Sequence, residues 1–172
     1  MLPTISFAFT KEQNNLWQQE VISQAQRQTQ SGHLQQSTQS IKVMMPVLDT
    51  SDTLSGVDSL HDGIRDDIQF YIDSLPEADS NKASLTNYAK SLQLTMTVDT
   101  TDVIEVKSVV DGMLFNVACL VLKHGDTQLA NQYVKQLSAF TRNTHARYEQ
   151  GKKLDAVYSG SVYRLPETEE CE

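Results

Sequence analysis

Two long segments with apolar residues at helical spacing flank one short turn, Lys123-His124-Gly125-Asp126-Thr127, and this arrangement constrains the chain more than any other feature. Before the turn, Val103, Val106, Val110, Met113, Leu114, Val117, Leu120 and Val121 recur three and four residues apart, while Val109, Phe115, Ala118, Cys119 and Leu122 fill most of the other faces. A helix apolar nearly all round belongs in the interior of a fold. Asp102, followed three residues later by Glu105, supplies the acidic form of a capping box. The β-branched run over 103–110 alternates as a strand would, which leaves a strand open there, but the length of the segment favours a helix. Gly125 suits a left-handed helix stop, with Lys123 and His124 in the last turn where the helix dipole favours positive charge. Asp126 or Thr127 caps a second helix, with Leu129, Tyr133, Leu137 and Phe140 on one stripe, which Gly151 ends. A turn this short sets the two helices antiparallel. The expected fold is all-α or mainly α: a compact helical bundle built on an antiparallel hairpin over 102–150, with short extended N- and C-terminal arms.

The rest of the chain is expected to wrap that hairpin. Residues 1–9 alternate Ile5, Phe7 and Phe9 and read as an extended arm; residues 10–156 form the single helical domain. Within it, a capping box at Thr10 and Gln13 opens a helix with Leu16, Trp17, Val21, Ile22 and Ala25 on one stripe, after which 26–56 is a Gln- and Ser-rich connector. Leu60, Ile64, Ile68, Tyr71 and Leu75 place a third helix over 58–75, limited by Pro76, and a fourth is expected over 80–94 with Ser80 or Asn81 as cap. Residues 157–172 form a C-terminal arm, either a small hairpin around Ser159-Gly160 or an extended strip, ending in a disordered acidic tail. Trp17, Tyr133, Phe140 and Tyr148 are expected in the core.

Charge narrows the function classes. A formal net charge of -8 argues against direct nucleic-acid binding, which requires cations to displace counterions from phosphates. The longest apolar run, 113–122, falls well short of the roughly 20 residues of a membrane span, and residues 1–9 lack the basic region of a signal peptide. A cytoplasmic location of bacterial type follows as the expectation. Cys119 reads as a small core residue and Cys171 as an exposed incidental thiol, since two cysteines make no disulfide framework.

Chemistry is sparse. There is no Gly-rich phosphate loop, no Cys-x-x-Cys, no His-Glu-x-x-His and no Gly-x-Ser-x-Gly. Locally, Gly125-Asp126 with Ala130, Tyr133 and Leu137 resembles the turn and second helix of a tetratricopeptide unit, but no second copy stands at the spacing of about 34 residues such arrays need. The His61-Asp62 pair, with His33 upstream and Asp126 downstream, resembles the HD phosphohydrolase pattern. That resemblance implies a cation held by His33, His61, Asp62 and Asp126 to activate water. The sequence departs from the pattern in the Gly-Ile-Arg that follows Asp62, where the family commonly has lysine, and His33 sits in a Gln-rich stretch without apolar support. The preferred reading is therefore a small acidic module that binds a partner protein with a basic surface, as adaptor, assembly chaperone or inhibitor, with Asp58, Asp62, Asp66 and Asp67 as the docking carboxylates. No catalytic residue and no cofactor are expected in that reading. Alternatives are the HD-like metal hydrolase and a DNA-mimicking inhibitor, and homodimerisation stays open.

Overall fold

The computed structural model describes residues 46–160 and 166–171, all within the compact unit Lys42–Glu172. The expectations for residues 1–45, including the N-terminal arm, the Trp17 helix and His33, lie outside the described residues. The described chain is all-α. Its elements are α1 (Asp66–Ser74), α2 (Asp79–Thr97), α3 (Val103–Lys123), α4 (Thr127–Thr141), α5 (His145–Tyr158) and a 3-10 turn, Thr168–Cys171.

Residues 103–110 are helical, because Asp102 accepts hydrogen bonds from the Ile104 and Glu105 N–H groups and starts α3 as a capped helix. Asp126 caps α4 in the same way through Leu129 N–H, and Gly125 between the two has φ 81°. The second arm of the expected hairpin is shorter than its periodicity implies. It breaks at 142–144, where Thr144 caps a separate helix, α5, and Gly151 lies inside that helix rather than ending it. A Cβ on Gly151 would sit 2.6 Å from Arg142 Nε; its absence lets the Arg142 guanidinium cross α5 and fork onto both oxygens of Asp155 at 2.9 Å. The glycine that looked like a helix stop is thus a packing site.

α1 also starts later than its apolar spacing suggests, at Asp66 rather than 58. His61 and Gly63 hold positive φ, 54° and 88°, which no α-helix accommodates. At the other end Leu75 is extended, the conformation that a following proline favours. α2 is longer than expected and lacks a side-chain cap, with Ala78 rather than Ser80 or Asn81 at the N-cap.

Ile68, Tyr71 and Ile72 of α1, Leu85, Tyr88 and Leu92 of α2, Leu120 of α3 and Tyr133, Leu137 and Phe140 of α4 build the main core. Tyr71 meets Phe140 edge to face with ring centres 5.1 Å apart, a favoured aromatic geometry. Val98, Val106, Val110 and Leu154 form a second cluster where α5 crosses α3. Tyr133 and Phe140 are buried as expected. α3, however, is not interior on every side. It packs most extensively on α2, and among the described residues only Val106, Val110 and Leu120 of it are fully buried, while Ile104 is 84% exposed and Phe115 and Leu122 reach solvent.

Candidate functional site

Residues 46–65 contain no regular structure, so their backbone groups need partners from elsewhere. Two arginines supply them. Arg65 and Arg147 are both 0% exposed. Arg65 pairs with the Asp67 carboxylate and donates through Nη1 to Phe140 C=O at 3.0 Å and Asn143 Oδ1 at 3.1 Å. Arg147, from α5, donates to Thr53 C=O at 3.0 Å, Asp49 C=O at 2.7 Å, Asn143 Oδ1 at 2.8 Å, Asp49 Oδ2 at 3.2 Å and Ser51 Oγ at 3.2 Å. Asn143 returns an N–H to Asp49 C=O at 2.9 Å, and Asp49 N–H donates to Asp67 Oδ2 at 2.8 Å. Two guanidinium charges thus face two carboxylates, and the cluster is neutral, which is how buried charge is tolerated. Burial pushes the Asp49 carboxyl up, but hydrogen bonds from the Ser51 N–H and hydroxyl and from Val57 N–H, together with Arg147, hold it at about 2. Burial and the neighbouring Arg65 lower the Arg147 guanidinium.

This clamp presents the acidic loop. The Asp58 carboxylate accepts N–H bonds from Asp62 and Gly63, and Asp62 accepts from Ile64 N–H. Asp66 accepts from both the N–H and the hydroxyl of Ser59; the hydroxyl and then the N–H hold its carboxyl below the usual range. Of the four expected docking carboxylates, Asp62 and Asp66 are exposed and Asp58 is half-buried. Asp67 has only 10% of its side chain exposed and serves the clamp.

The candidate metal ligands do not converge among the described residues. Asp126 caps the N-terminus of α4, whereas His61 and Asp62 lie four and three residues before Arg65, which meets Phe140 near the other end of that helix, about 20 Å away along its axis. His33 lies outside the described residues. Asp58, Asp62, Gly63 and Asp66 do stand at positions one, five, six and nine of an EF-hand-type loop, but Leu60 and Gln69 occupy three and twelve. No group of three or more His, Cys, Asp or Glu side chains able to hold a metal ion occurs among the described residues.

His124 stands at the C-cap of α3, at the helix end where its sequence position puts it, but its side chain turns inward. Its side chain is 3% exposed, with Nε2 3.4 Å from Glu77 Oε2 but not aligned for a hydrogen bond. Glu77 also accepts from Tyr133 Oη at 2.9 Å and Asn81 Nδ2 at 2.8 Å. Burial opposes ionisation of Glu77, and these donors with His124 outweigh it and lower its carboxyl. The Tyr133 hydroxyl moves the other way, raised by burial and then by Glu77. The group joins the 75–78 connection to the turn after α3.

Sequence reasoning missed two features. The buried arginine pair carries no periodic signal: Arg65 finds partners up to 78 residues away and Arg147 up to 98. The reading of the cysteines is overturned, since Cys119 and Cys171 form a disulfide across 52 residues. Cys119 is half-buried on α3, not enclosed in the core, and Cys171 is tied to it. A shallow groove of about 450 Å³ runs between α2 and α3, lined among others by Asn87, Lys90, Ser91, Leu94 and Gly112. No described helix is long and apolar enough to cross a membrane. No protein family model, curated protein or solved structure matches this chain.

Proposed function

We propose that the chain is a partner-binding module that docks its acidic face on a basic protein surface, in the manner of an adaptor, assembly chaperone or inhibitor. The observation that carries this reading is the burial of Arg65. It is the single basic residue among nine acidic ones between Asp49 and Asp79, and it is 0% exposed and turned into the clamp. The surface of that segment therefore offers Asp52, Asp62 and Asp66 to solvent without a cation of its own. Because Arg65 and Arg147 fix the loop backbone, those carboxylates are held before a partner arrives, which limits the ordering cost of binding. Long-range charge of one sign steers a partner of the opposite sign.

The test is affinity capture with cross-linking from the native host, using the chain and an Asp52→Asn/Asp62→Asn/Asp66→Asn variant, which keeps side-chain shape and removes three charges. A specific partner with a basic surface is expected on the unaltered chain. It should be lost from the variant and released on raising salt from about 0.1 M to about 1 M, as screening shortens from about 10 Å to about 3 Å. A partner retained equally by both proteins at both salt levels would end the proposal. The compartment belongs to this reading too: a disulfide that persists fits an oxidising compartment, and one in a cytosolic protein is expected to turn over.

A further inference from the structure

We propose that the Cys119–Cys171 disulfide is a redox-operated latch that holds the C-terminal turn, Thr168–Cys171, over α3. The proposal is independent of the acidic face. α3 is unevenly buried. This helix is apolar on nearly every side, its α2 side is covered, and the C-terminal turn packs against it where Cys119 lies. Pro166, which leads into the turn, is buried. The turn closes on itself, with Glu170 N–H donating to Glu167 C=O at 3.0 Å and Glu167 N–H to Glu170 Oε2 at 2.7 Å, so it can move as one piece. Besides the backbone itself, the disulfide ties it covalently to α3.

Three further features suit a latch rather than a buried staple. Both cysteines are half-buried, and both line an open crevice of about 140 Å³ that Phe115, Asn116, Leu120 and Lys123 share, so a small thiol can reach the sulfurs. Lys123 is one helical turn after Cys119, and a cation beside a sulfur favours its thiolate, hence its departure as leaving group. The segment 166–172 carries four glutamates on a chain of net charge -8, so once released it is repelled rather than drawn back.

The reaction requires a dithiol reductant. One of its thiolates attacks Cys171 Sγ; the S–S bond breaks, and the electron pair leaves on Cys119 Sγ, which takes a proton. The second thiolate of the reductant attacks the mixed disulfide, releasing Cys171 as a thiol once it too takes a proton, and the reductant as its own disulfide. Two electrons and two protons pass from the reductant to the pair. The freed turn uncovers α3 around Phe115 and Cys119, next to the already exposed Leu122.

The test compares hydrogen exchange and Glu-specific proteolysis of the full chain, oxidised and after dithiothreitol, with Cys171→Ala and Cys119→Ser/Cys171→Ser as variants. The oxidised chain is expected to contain no free thiol. On reduction, exchange should rise most in peptides covering 166–171 and 115–123, cleavage between 167 and 170 should accelerate at least about tenfold, as expected when a local opening is no longer tethered, and peptides of α1 should change far less. Both variants should show the reduced pattern with or without dithiothreitol. Identical patterns before and after reduction would overturn the latch, as would two free thiols that do not pair under an oxidised thiol buffer. Exchange rising by the same factor in every helix would overturn it as well, since the disulfide would then act only as a staple of the whole fold.

Discussion

Replacing Arg147 with methionine keeps the aliphatic stem of the side chain and removes five hydrogen bonds, to Thr53, Asn143 and Ser51 and two to Asp49. Removing one partner of a buried ion pair costs about 3–5 kcal/mol, because the other charge stays behind without compensation. Here the remainder is softened. Asp49 keeps the Ser51 N–H and hydroxyl and Val57 N–H, and Arg65 and Asn143 still reach its carbonyl. The expected loss therefore lies at the lower end, about 3 kcal/mol, a large share of the roughly 5–15 kcal/mol that stabilises an ordinary domain. Followed by far-UV circular dichroism in urea, with a slope of about 1.5 kcal/mol/M, the midpoint should fall by about 2 M. Hydrogen exchange should quicken first at 49–57, the segment whose backbone the guanidinium holds. The Asp49→Asn/Arg147→Met double variant should lose less than the sum of the two single losses, as contacting residues do. A midpoint shift under about 0.5 M, or exchange at 49–57 unchanged, would refute the claim that this arginine holds the loop.

Three other perturbations follow from the same structure. Asp49 has a folded pKa of about 2 against an ordinary 3.8, so its contribution is present above about pH 4 and lost as the pH falls toward 2; the span corresponds to about 2 kcal/mol before solvent screening reduces it, and denaturation midpoints should fall less steeply between pH 5 and pH 2 in Asp49→Asn than in the unaltered chain. Parallel curves would contradict that. Reducing the disulfide removes a closure spanning 52 residues, for which chain entropy sets a ceiling of about 4 kcal/mol, so the urea midpoint should drop on reduction, Cys119→Ser/Cys171→Ser should match the reduced protein, and an unchanged midpoint would count against the tie. Gly56→Ala places a Cβ 2.6 Å from Arg65 Cδ and 2.7 Å from Asp49 Oδ2 at a φ of 70°, and should cost about 2–4 kcal/mol, whereas Gly63→Ala, also at positive φ but facing open space, should cost only about 1 kcal/mol; equal losses by calorimetry would show that the clamp has room to give.

Local signals in the chain were legible where a single helix decides them. Asp102 and Asp126 cap helices as their positions imply, and the stripe Tyr133, Leu137, Phe140 is buried, because capping and periodicity depend on neighbours within one or two turns. What stayed hidden depends on partners distant in sequence. Nothing near Gly151 announces that Arg142 will lie across it, and nothing near Arg65 that it will turn inward; in a segment with nine acidic residues a lone arginine reads as a surface cation. Apolar spacing over 58–75 was misleading for a related reason, since Leu60, which seemed to extend the stripe, is 79% exposed in a loop closed by Asp58, Asp62 and Asp66. The same three carboxylates were legible as an acidic cluster, but their work in building the loop was not. Cys119 among apolar neighbours gave no hint of its link to Cys171, because pairing follows from the path of the chain rather than from composition.

The proposal that the clamped acidic loop is a docking surface is tested most directly by calorimetric titration of the captured partner against the chain and its Asp52→Asn/Asp62→Asn/Asp66→Asn variant at two salt concentrations. Affinity is expected to fall at least about tenfold from about 0.1 M to about 1 M salt for the unaltered chain, and to be weaker throughout and less sensitive to salt for the variant. Equal affinities for the two proteins, with the same salt dependence, would contradict the proposal.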